Sequence, residues 1–174
     1  YAPMKGLLAS KWVGLKNFEF FFTSQDLFRT MRNTVLYSVA FLVTDLVFGI
    51  LIAVLLYNLR TKVGLKVYHT IIMIPRFMSI IVVAYIAYAF LSPPNGVLNK
   101  IIVALGGTAV QWYTVPRYWP VILTIVHIWI TLGSGCLYYY SALTGIDPTL
   151  YEAAEIDGAN ALQKTWHISI PELV

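Results

Sequence analysis

Three apolar runs, residues 35–57, 67–90 and 121–143, constrain this chain more than anything else in it. Each is about 20 residues or longer, the length a helix needs to cross the ~30 Å hydrocarbon core of a bilayer. Lipid offers no water to backbone N–H and C=O groups, so such a run crosses as a helix. The expected fold class is an all-α membrane protein with a multi-pass helical transmembrane domain. Composition agrees: 59% of the residues are apolar and 11% charged, against about 25% charged in an ordinary soluble domain. Mean hydropathy is +0.72.

Several function classes drop out on the same grounds. The net charge of +4 is small and dispersed, without the basic cluster and interleaved aromatics that nucleic-acid binding needs. It fits lysines and arginines flanking membrane spans. Cys136 lies alone in an apolar run, so there is no disulfide framework. His69 and His167 sit near the ends of runs and carry no metal spacing. No nucleophile with its base, metal cluster or carboxylate pair shares a run, which argues against a membrane-embedded enzyme. The phosphate-cradling G-x-x-x-x-G-K-[ST] pattern does not occur, so the chain does not bind ATP by that route. The sequence opens on Tyr1 without a signal-peptide pattern and stops at Val174, soon after Pro171; it is expected to be an internal fragment.

Within the runs, polar residues and helix breakers mark positions that lipid alone does not explain. Asp45 is near the middle of the first run. A carboxylate there opposes insertion by about 2.5–3.5 kcal/mol, while each Leu, Ile, Val or Phe returns about 0.3–0.6. The many apolar residues win, and Asp45 must face protein or water. It either lines a path or bonds a partner helix, or it is a buried structural hydrogen-bonding group. Pro75 interrupts the second run, removes a donor and kinks the helix, as a hinge or as a static bend. Arg76, about two turns from the start of that run, can snorkel toward the near surface. In the third run Gly133-Ser134-Gly135 allows close helix packing, and His127 is read as a packed or hydrogen-bonded histidine.

Between the runs the signals are local. Residues 1–8 are too short to span and read as the tail of a preceding helix. Residues 11–32 carry Trp12, Phe18, Phe20, Phe21, Phe22 and Phe28 among polar neighbours, which suits an interfacial segment. Residues 59–66 form a short connection with Arg60, Lys62 and Lys66. Ser92-Pro93-Pro94-Asn95-Gly96 ends the second run in a turn. Residues 97–105 are again too short to span and should lie along the interface before Gly106-Gly107, and Trp112, Tyr113, Tyr118 and Trp119 mark a return to the membrane.

Residues 147–171 are the one long polar-containing stretch with a strong pattern. Asp147 before Pro148 is a good helix start, because the carboxylate accepts from orphan N–H groups and proline at the first position forfeits no bond. Gly158 suits the left-handed residue that ends a helix, and Asn160 can cap a second helix running toward Pro171. Two short helices around a tight bend are expected. On the first, Leu150, Ala153 and Ala154 share a side, flanked by Glu152 and Glu155, and the small alanines would let another surface approach the backbone.

Glu152-Ala153-Ala154, three residues, Gly158, nine residues, Ile168, one residue and Ile170-Pro171 resembles the E-A-A-x3-G-x9-I-x-L-P loop of binding-protein-dependent ABC importer permeases, the maltose-type family. One position departs, with Ile170 where leucine is usual. Tyr138 to Pro148, Trp12 to Phe18 and Arg32-Asn33-Thr34 are similar to the oligosaccharide branch, the LplB-like permeases. The likeness covers nearly the whole chain. It implies that residues 1–174 are part of one permease domain of a type I ABC importer, with residues 147–171 as its cytoplasmic coupling loop. Leu150, Tyr151, Glu152, Ala153, Ala154, Asp157, Gly158, Ala159 and Pro171 would then dock a cytoplasmic ATP-binding subunit. The expected partners are the ATP-binding subunits, a second homologous permease and an extracytoplasmic substrate-binding protein, in a bacterial cytoplasmic membrane. ATP and Mg would be bound by the partner subunits and no cofactor by this chain, which is expected not to be an enzyme.

Sugars stack on flat aromatic faces beside a few polar groups. Asp45, Tyr85, Tyr88, Trp129 and Tyr139 are therefore the candidates for a carbohydrate path, or else the aromatics form interfacial belts and packing. The charge count pulls against the orientation. Arg60, Lys62, Lys66 and Lys164 fall on the side of the patterned stretch, and Lys5, Lys11, Lys16, Arg29, Arg32, Lys100 and Arg117 on the other. The density of charge in residues 59–66 argues the opposite way, and the resemblance puts residues 59–66 and 147–171 in the cytoplasm. A secondary transporter would also account for Asp45 and the break at Pro75 but leaves the patterned stretch unexplained. An ABC permease for a non-sugar solute shares the stretch without the oligosaccharide-type flanks.

Overall fold

The structure is a computed structural model that describes residues 14–59 and 61–173. The expectation for residues 1–8, together with the positions of Lys11, Trp12 and Arg60, lies outside the described residues. The chain divides into two compact units, residues 1–39 and 40–174.

In the first unit, Gly14 takes a positive φ of 56° and leads into α1, Lys16–Thr23. Thr23 closes α1 by donating its hydroxyl to the Glu19 carbonyl at 2.8 Å. Helix α2, Gln25–Tyr57, then runs for 33 residues. It starts earlier than the apolar run from residue 35, because good helix formers such as Gln25, Arg29, Met31 and Arg32 extend it with no breaker in between. The interfacial segment expected over 11–32 is thus partly helix α1 and partly the beginning of α2.

The second unit holds the end of α2, then α3 (Lys62–Met73), a 3-10 turn (Ile74–Phe77) and α4 (Ile80–Leu91). After the proline turn come α5 (Val97–Ala104), a second 3-10 turn (Pro116–Tyr118) and α6 (Trp119–Thr144). A buried cluster of Ala53, Leu56, Cys136 and Leu143 joins α2 to α6, and Leu65, Ile72, Tyr139 and Tyr140 pack around it. Elsewhere α2 and α6 expose large apolar side chains such as Leu42, Leu46, Val121 and Ile125, as helices solvated by lipid do. Threonines in these helices donate back to carbonyls within their own helix, for example Thr44 to Ala40 and Thr124 to Pro120. Those hydroxyls need no partner from the lipid.

Among the described residues, two helices are long and apolar enough to cross a membrane, Asp26–Tyr57 and Pro116–Thr144. A third span exists if Lys62–Phe77 and Ile80–Leu91 count as one, and these are bent by 99°. A single kinked helix over 67–90 is therefore not what forms. Pro75 removes one helical donor, Met78 and Ser79 go extended, and Ser79 restarts the chain by accepting from the Ile81 N–H at 3.4 Å. The packing expected of Gly133-Ser134-Gly135 is present. A β-carbon on Gly133 would stand 2.6 Å from the Ile72 carbonyl oxygen, and one on Gly49 would stand 2.8 Å from the Tyr139 ring. At Gly133 the obstacle is backbone, so only glycine lets the chain before Pro75 come so close to α6, whereas at Gly49 it is the Tyr139 ring.

Beyond α5 the chain is pinned by Asn99, which is fully buried. Its amide donates to the Val110 carbonyl and accepts from the Val110 N–H, both at 3.0 Å, and also accepts from Trp112 Nε1 at 3.1 Å. This buried polar side chain is satisfied on both its amide nitrogen and its oxygen.

Candidate functional site

The stretch after α6 is built almost wholly by local bonds. Asp147 caps α7, Pro148–Ile156, by accepting from the Thr149 N–H at 2.9 Å, with Pro148 at the first turn. That backbone donor holds the Asp147 carboxyl below its ordinary pKa. The helix ends at Gly158, whose φ is +79°. There the Gly158 N–H donates to Glu155 and the Ala159 N–H to Ala154, at 3.0 and 2.9 Å, the paired bonds of a Schellman stop.

Two residues later Asn160 opens α8, Ala161–Lys164, through a complete capping box. Its side chain accepts from the Gln163 N–H at 2.9 Å, while Gln163 Oε1 accepts from the Asn160 N–H at 2.8 Å. The second helix expected to run unbroken toward Pro171 instead widens after one turn into a π-helical segment, Thr165–Ser169, closed by the Ile170 N–H to the Thr165 carbonyl at 2.9 Å. Pro171 then starts a 3-10 turn, Pro171–Leu173.

Lys164 ties the two helices together by donating to Glu155 Oε2 at 2.8 Å. This hydrogen bond, and then the ammonium charge, pulls the Glu155 carboxyl below its ordinary pKa. Between the helices is a hollow of about 280 Å³ lined by Ala154, Asp157, Gly158, Gln163, Lys164 and His167.

The elbow is also bolted to the spans. Tyr151 turns inward, its hydroxyl 3.0 Å from that of Ser169, which is only 4% exposed, and its ring 6.0 Å from that of Tyr57 on α2. Tyr57 meets Tyr140 edge-on, and Tyr140 meets His69 of α3 at 4.9 Å. Ile146 and Leu173 pack onto the buried cluster. Leu150, Glu152, Ala153, Asp157 and Pro171 remain exposed, while Ala154 and Ala159 are half-buried. The residues singled out from sequence therefore divide into an outward face and one inward strut, Tyr151.

The five path candidates do not converge. Asp45 bridges α2 to α6: it accepts from Thr131 Oγ1 at 2.6 Å, and its other oxygen lies 3.0 Å from His127 Nε2. A carboxylate only accepts, so the imidazole donates. Phe41 stacks on His127 at 4.0 Å. Tyr139 is packed edge-on against Gly49. Tyr88 meets Tyr113 at 5.6 Å, Tyr85 is exposed, and Trp129 lines an apolar groove between α4, α5 and α6 of about 420 Å³. Thr131 was not singled out from sequence, although its spacing of four from His127 puts both on one face of α6. Asn99 was missed as well, and its signal was a lone amide inside a short apolar helix.

A multi-pass helical membrane protein that leaves a span through a rigid, outward-facing two-helix elbow is the class this fold and site define. The chain belongs to the family described as binding-protein-dependent transport system inner membrane component, whose model matches residues 45–174. It is thus a multi-pass protein of the inner membrane. Over 173 residues it is 35% identical to the polygalacturonan/rhamnogalacturonan transport system permease protein YteP of Bacillus subtilis (strain 168), covering 99% of this chain and 54% of YteP. It is 32% identical to Protein LplB of the same organism, over 99% of this chain and 54% of LplB. Its fold matches a crystal structure of a bacterial ABC transporter involved in the import of the acidic polysaccharide alginate, with a TM-score of 0.87 and 32% identity over 94% of this chain and 57% of that one. The chain spans about half the length of the curated relatives it matches.

Proposed function

We infer that this chain is part of a permease subunit of an ATP-driven importer of carbohydrates, oligosaccharides above all, in which the elbow receives work from a separate ATP-binding subunit. The observation that carries this reading is the elbow itself. It is capped at Asp147, stopped at Gly158, capped again at Asn160 and clamped by Lys164 to Glu155, yet it leaves Leu150, Glu152 and Ala153 uncovered. A lever transmits force only if its own shape is fixed and its end is free to dock. Residues 59–66 and 147–171 then face the cytoplasm. The outward residues of α7, with Gly158, Ala159 and Pro171 setting the bend and exit, fit a groove on the ATPase, and Glu152 meets a basic group there. Tyr151 acts behind that surface, passing movement through Tyr57 and Tyr140 to the spans.

Energy enters through the partner. ATP and Mg²⁺ are bound by two ATPase subunits, and their closure swings this chain and a second, similar permease from inward-facing to outward-facing. An extracytoplasmic binding protein then delivers the cargo, in keeping with the family's description. Tyr85, Tyr88 and Trp129 are the aromatic candidates for the path, while Asp45 and Tyr139 act there through the helix pairing they hold. The test is to isolate the full-length protein in mild detergent, identify its companions and measure which glycans stimulate ATP hydrolysis. Co-purification of ATP-binding subunits and stimulation by an oligosaccharide-loaded binding protein are expected. Uptake that ionophores abolish while ATP is plentiful would overturn the reading.

A further inference from the structure

Helix α3 starts at the rim of the membrane and runs inward. Its His69 meets Tyr140 of α6, while Ile72 and Met73, further along α3, lie against Gly133. Gly133 precedes Tyr140 by seven residues, about 10 Å of helical rise, so α3 is antiparallel to α6 and its start lies toward the end of that span. Neither residues 46–59 nor residues 118–146 contain an Asp, Glu, Lys or Arg, and the two stretches end side by side where Tyr57 meets Tyr140. Charge resumes at Arg60, Lys62 and Lys66 after the first stretch and at Asp147 after the second. A bilayer admits charge at its rim and resists it in its core. Lys62 and Lys66 therefore stand at the rim on the elbow's side.

This face of α3 has a charged and an apolar part. Lys62, Lys66 and Thr70 recur every four residues beside Val63, Val67 and Ile71, and the six line a trough of about 520 Å³. Val63 is 77% exposed, and Lys62, Lys66, Val67 and Ile71 are exposed with it. Thr70 is already satisfied, because its hydroxyl donates to the Lys66 carbonyl at 2.8 Å. The lysines are not. Among the described residues no carboxylate, those of the elbow included, comes within salt-bridge distance of either one. Like charges four apart on a helix repel, and an anion held between them reverses the sign. The valine stripe runs inward from the lysines and asks no hydrogen bond of what covers it. A phospholipid has that profile, with a phosphate for the ammonium groups at the rim and an acyl chain for the stripe.

We propose that the Lys62–Lys66 face of α3 is a binding site for an anionic phospholipid of the leaflet on the elbow's side. The phosphate lies between the two ammonium groups, and one acyl chain runs along Val63, Val67 and Ile71. The site goes beyond the permease reading and does not depend on the cargo.

The test uses the full-length protein in phosphatidylcholine vesicles that carry a trace of spin-labelled phosphatidylglycerol or, in parallel, of spin-labelled phosphatidylcholine. The fraction of label immobilised against the protein is measured. A preference for phosphatidylglycerol is expected, and Lys62→Gln and Lys66→Gln should each lower it by up to about fivefold, the weight of one cation facing an anionic surface. Lys100→Gln, outside the trough, should leave it unchanged. Added unlabelled phosphatidylglycerol should raise the melting temperature of the native protein and not that of the Lys62→Gln/Lys66→Gln double variant. The absence of any preference, or a preference that Lys100→Gln lowers equally, would overturn the site and leave only diffuse surface charge. A double variant that melts lower by the same amount with and without phosphatidylglycerol would also overturn it, since the lysines would then serve a contact within the protein.

Discussion

At Gly158 the backbone reverses through a left-handed residue and is held by bonds to Ala154, Glu155 and Gln163, all within a few residues of the bend. Between Phe77 and Ile80 it turns by 99°, and the residues just before the turn, Ile72 and Met73, lie against Gly133, far along the chain on α6. One joint carries its own shape and the other borrows it. A self-contained joint can be pushed without deforming, which suits a lever outside the membrane. A joint packed against a distant helix depends on where that helix stands, which suits a segment that must take two forms.

The sharpest way to break this contrast is at Gly133. A valine there would drive its side chain onto Ile72 O and Met73 Cα, which are backbone atoms that cannot swing aside. Overpacking of this kind destabilises by about 1–3 kcal/mol or more. Gly133→Val is expected to lower the yield and melting temperature of the detergent-solubilised full-length protein more than any change in the elbow. An undisturbed melting curve would mean that α6 does not set the bend.

Asp45 tests the same borrowed geometry one step away. Replacing it with leucine leaves His127 without its carboxylate, whereas Thr131 still donates to the His127 carbonyl at 2.9 Å. Interhelical hydrogen bonds in membranes contribute about 0.6–2 kcal/mol, so Asp45→Leu should lower the melting temperature by less than Gly133→Val does. The double variant with His127→Leu should recover part of the loss, because no polar partner is then stranded. If the loss in the double variant equals the sum of the losses in Asp45→Leu and His127→Leu measured singly, the pair carries no coupling.

These two joints also explain what could be read in advance. The caps at Asp147 and Asn160 and the stop at Gly158 were legible because each is encoded by residues within one turn of where it acts. The break after Pro75 was legible only as a kink, since the glycine that its helix packs against, Gly133, is far along the chain. Gly133 signalled closeness without naming a partner. The roles of His127 and Thr131 around Asp45 were hidden for the same reason: a contact across 82 residues leaves no periodic trace. The π-helical turn after Lys164 was not foreseen either, because Thr165–Ser169 contains no breaker that would announce it.

On the self-contained side, Gly158→Val should act locally. Nothing lies within 4 Å of where its β-carbon would stand, so the obstacle is the φ of +79° alone, an unfavourable conformation by about 1–2 kcal/mol for a side chain branched at Cβ. Membrane insertion and the melting temperature of the spans should hold, while recovery of ATP-binding subunits in a pull-down falls. Gly158→Asn, better suited to positive φ, should fall less. Normal co-purification and transport in the valine variant would detach the bend from docking.

The smallest effect is expected from acid. Glu155 is exposed and its carboxyl is held below the ordinary glutamate range by the hydrogen bond from Lys164 and then by its charge. A group whose folded pKa is depressed adds stability above its unfolded value and loses it as the pH falls through the folded one. The clamp between α7 and α8 should therefore be constant through neutrality and weaken only on the acid side of the ordinary glutamate range. Amide exchange at Ala159 and Ala161 reports it, with Glu155→Gln as the reference that removes the titrating group and its intrinsic pH effect. The difference between native and variant should be present at neutral pH and vanish in acid. No difference at neutral pH would show that the elbow is held by its two caps and the Gly158 stop, with Lys164 adding nothing.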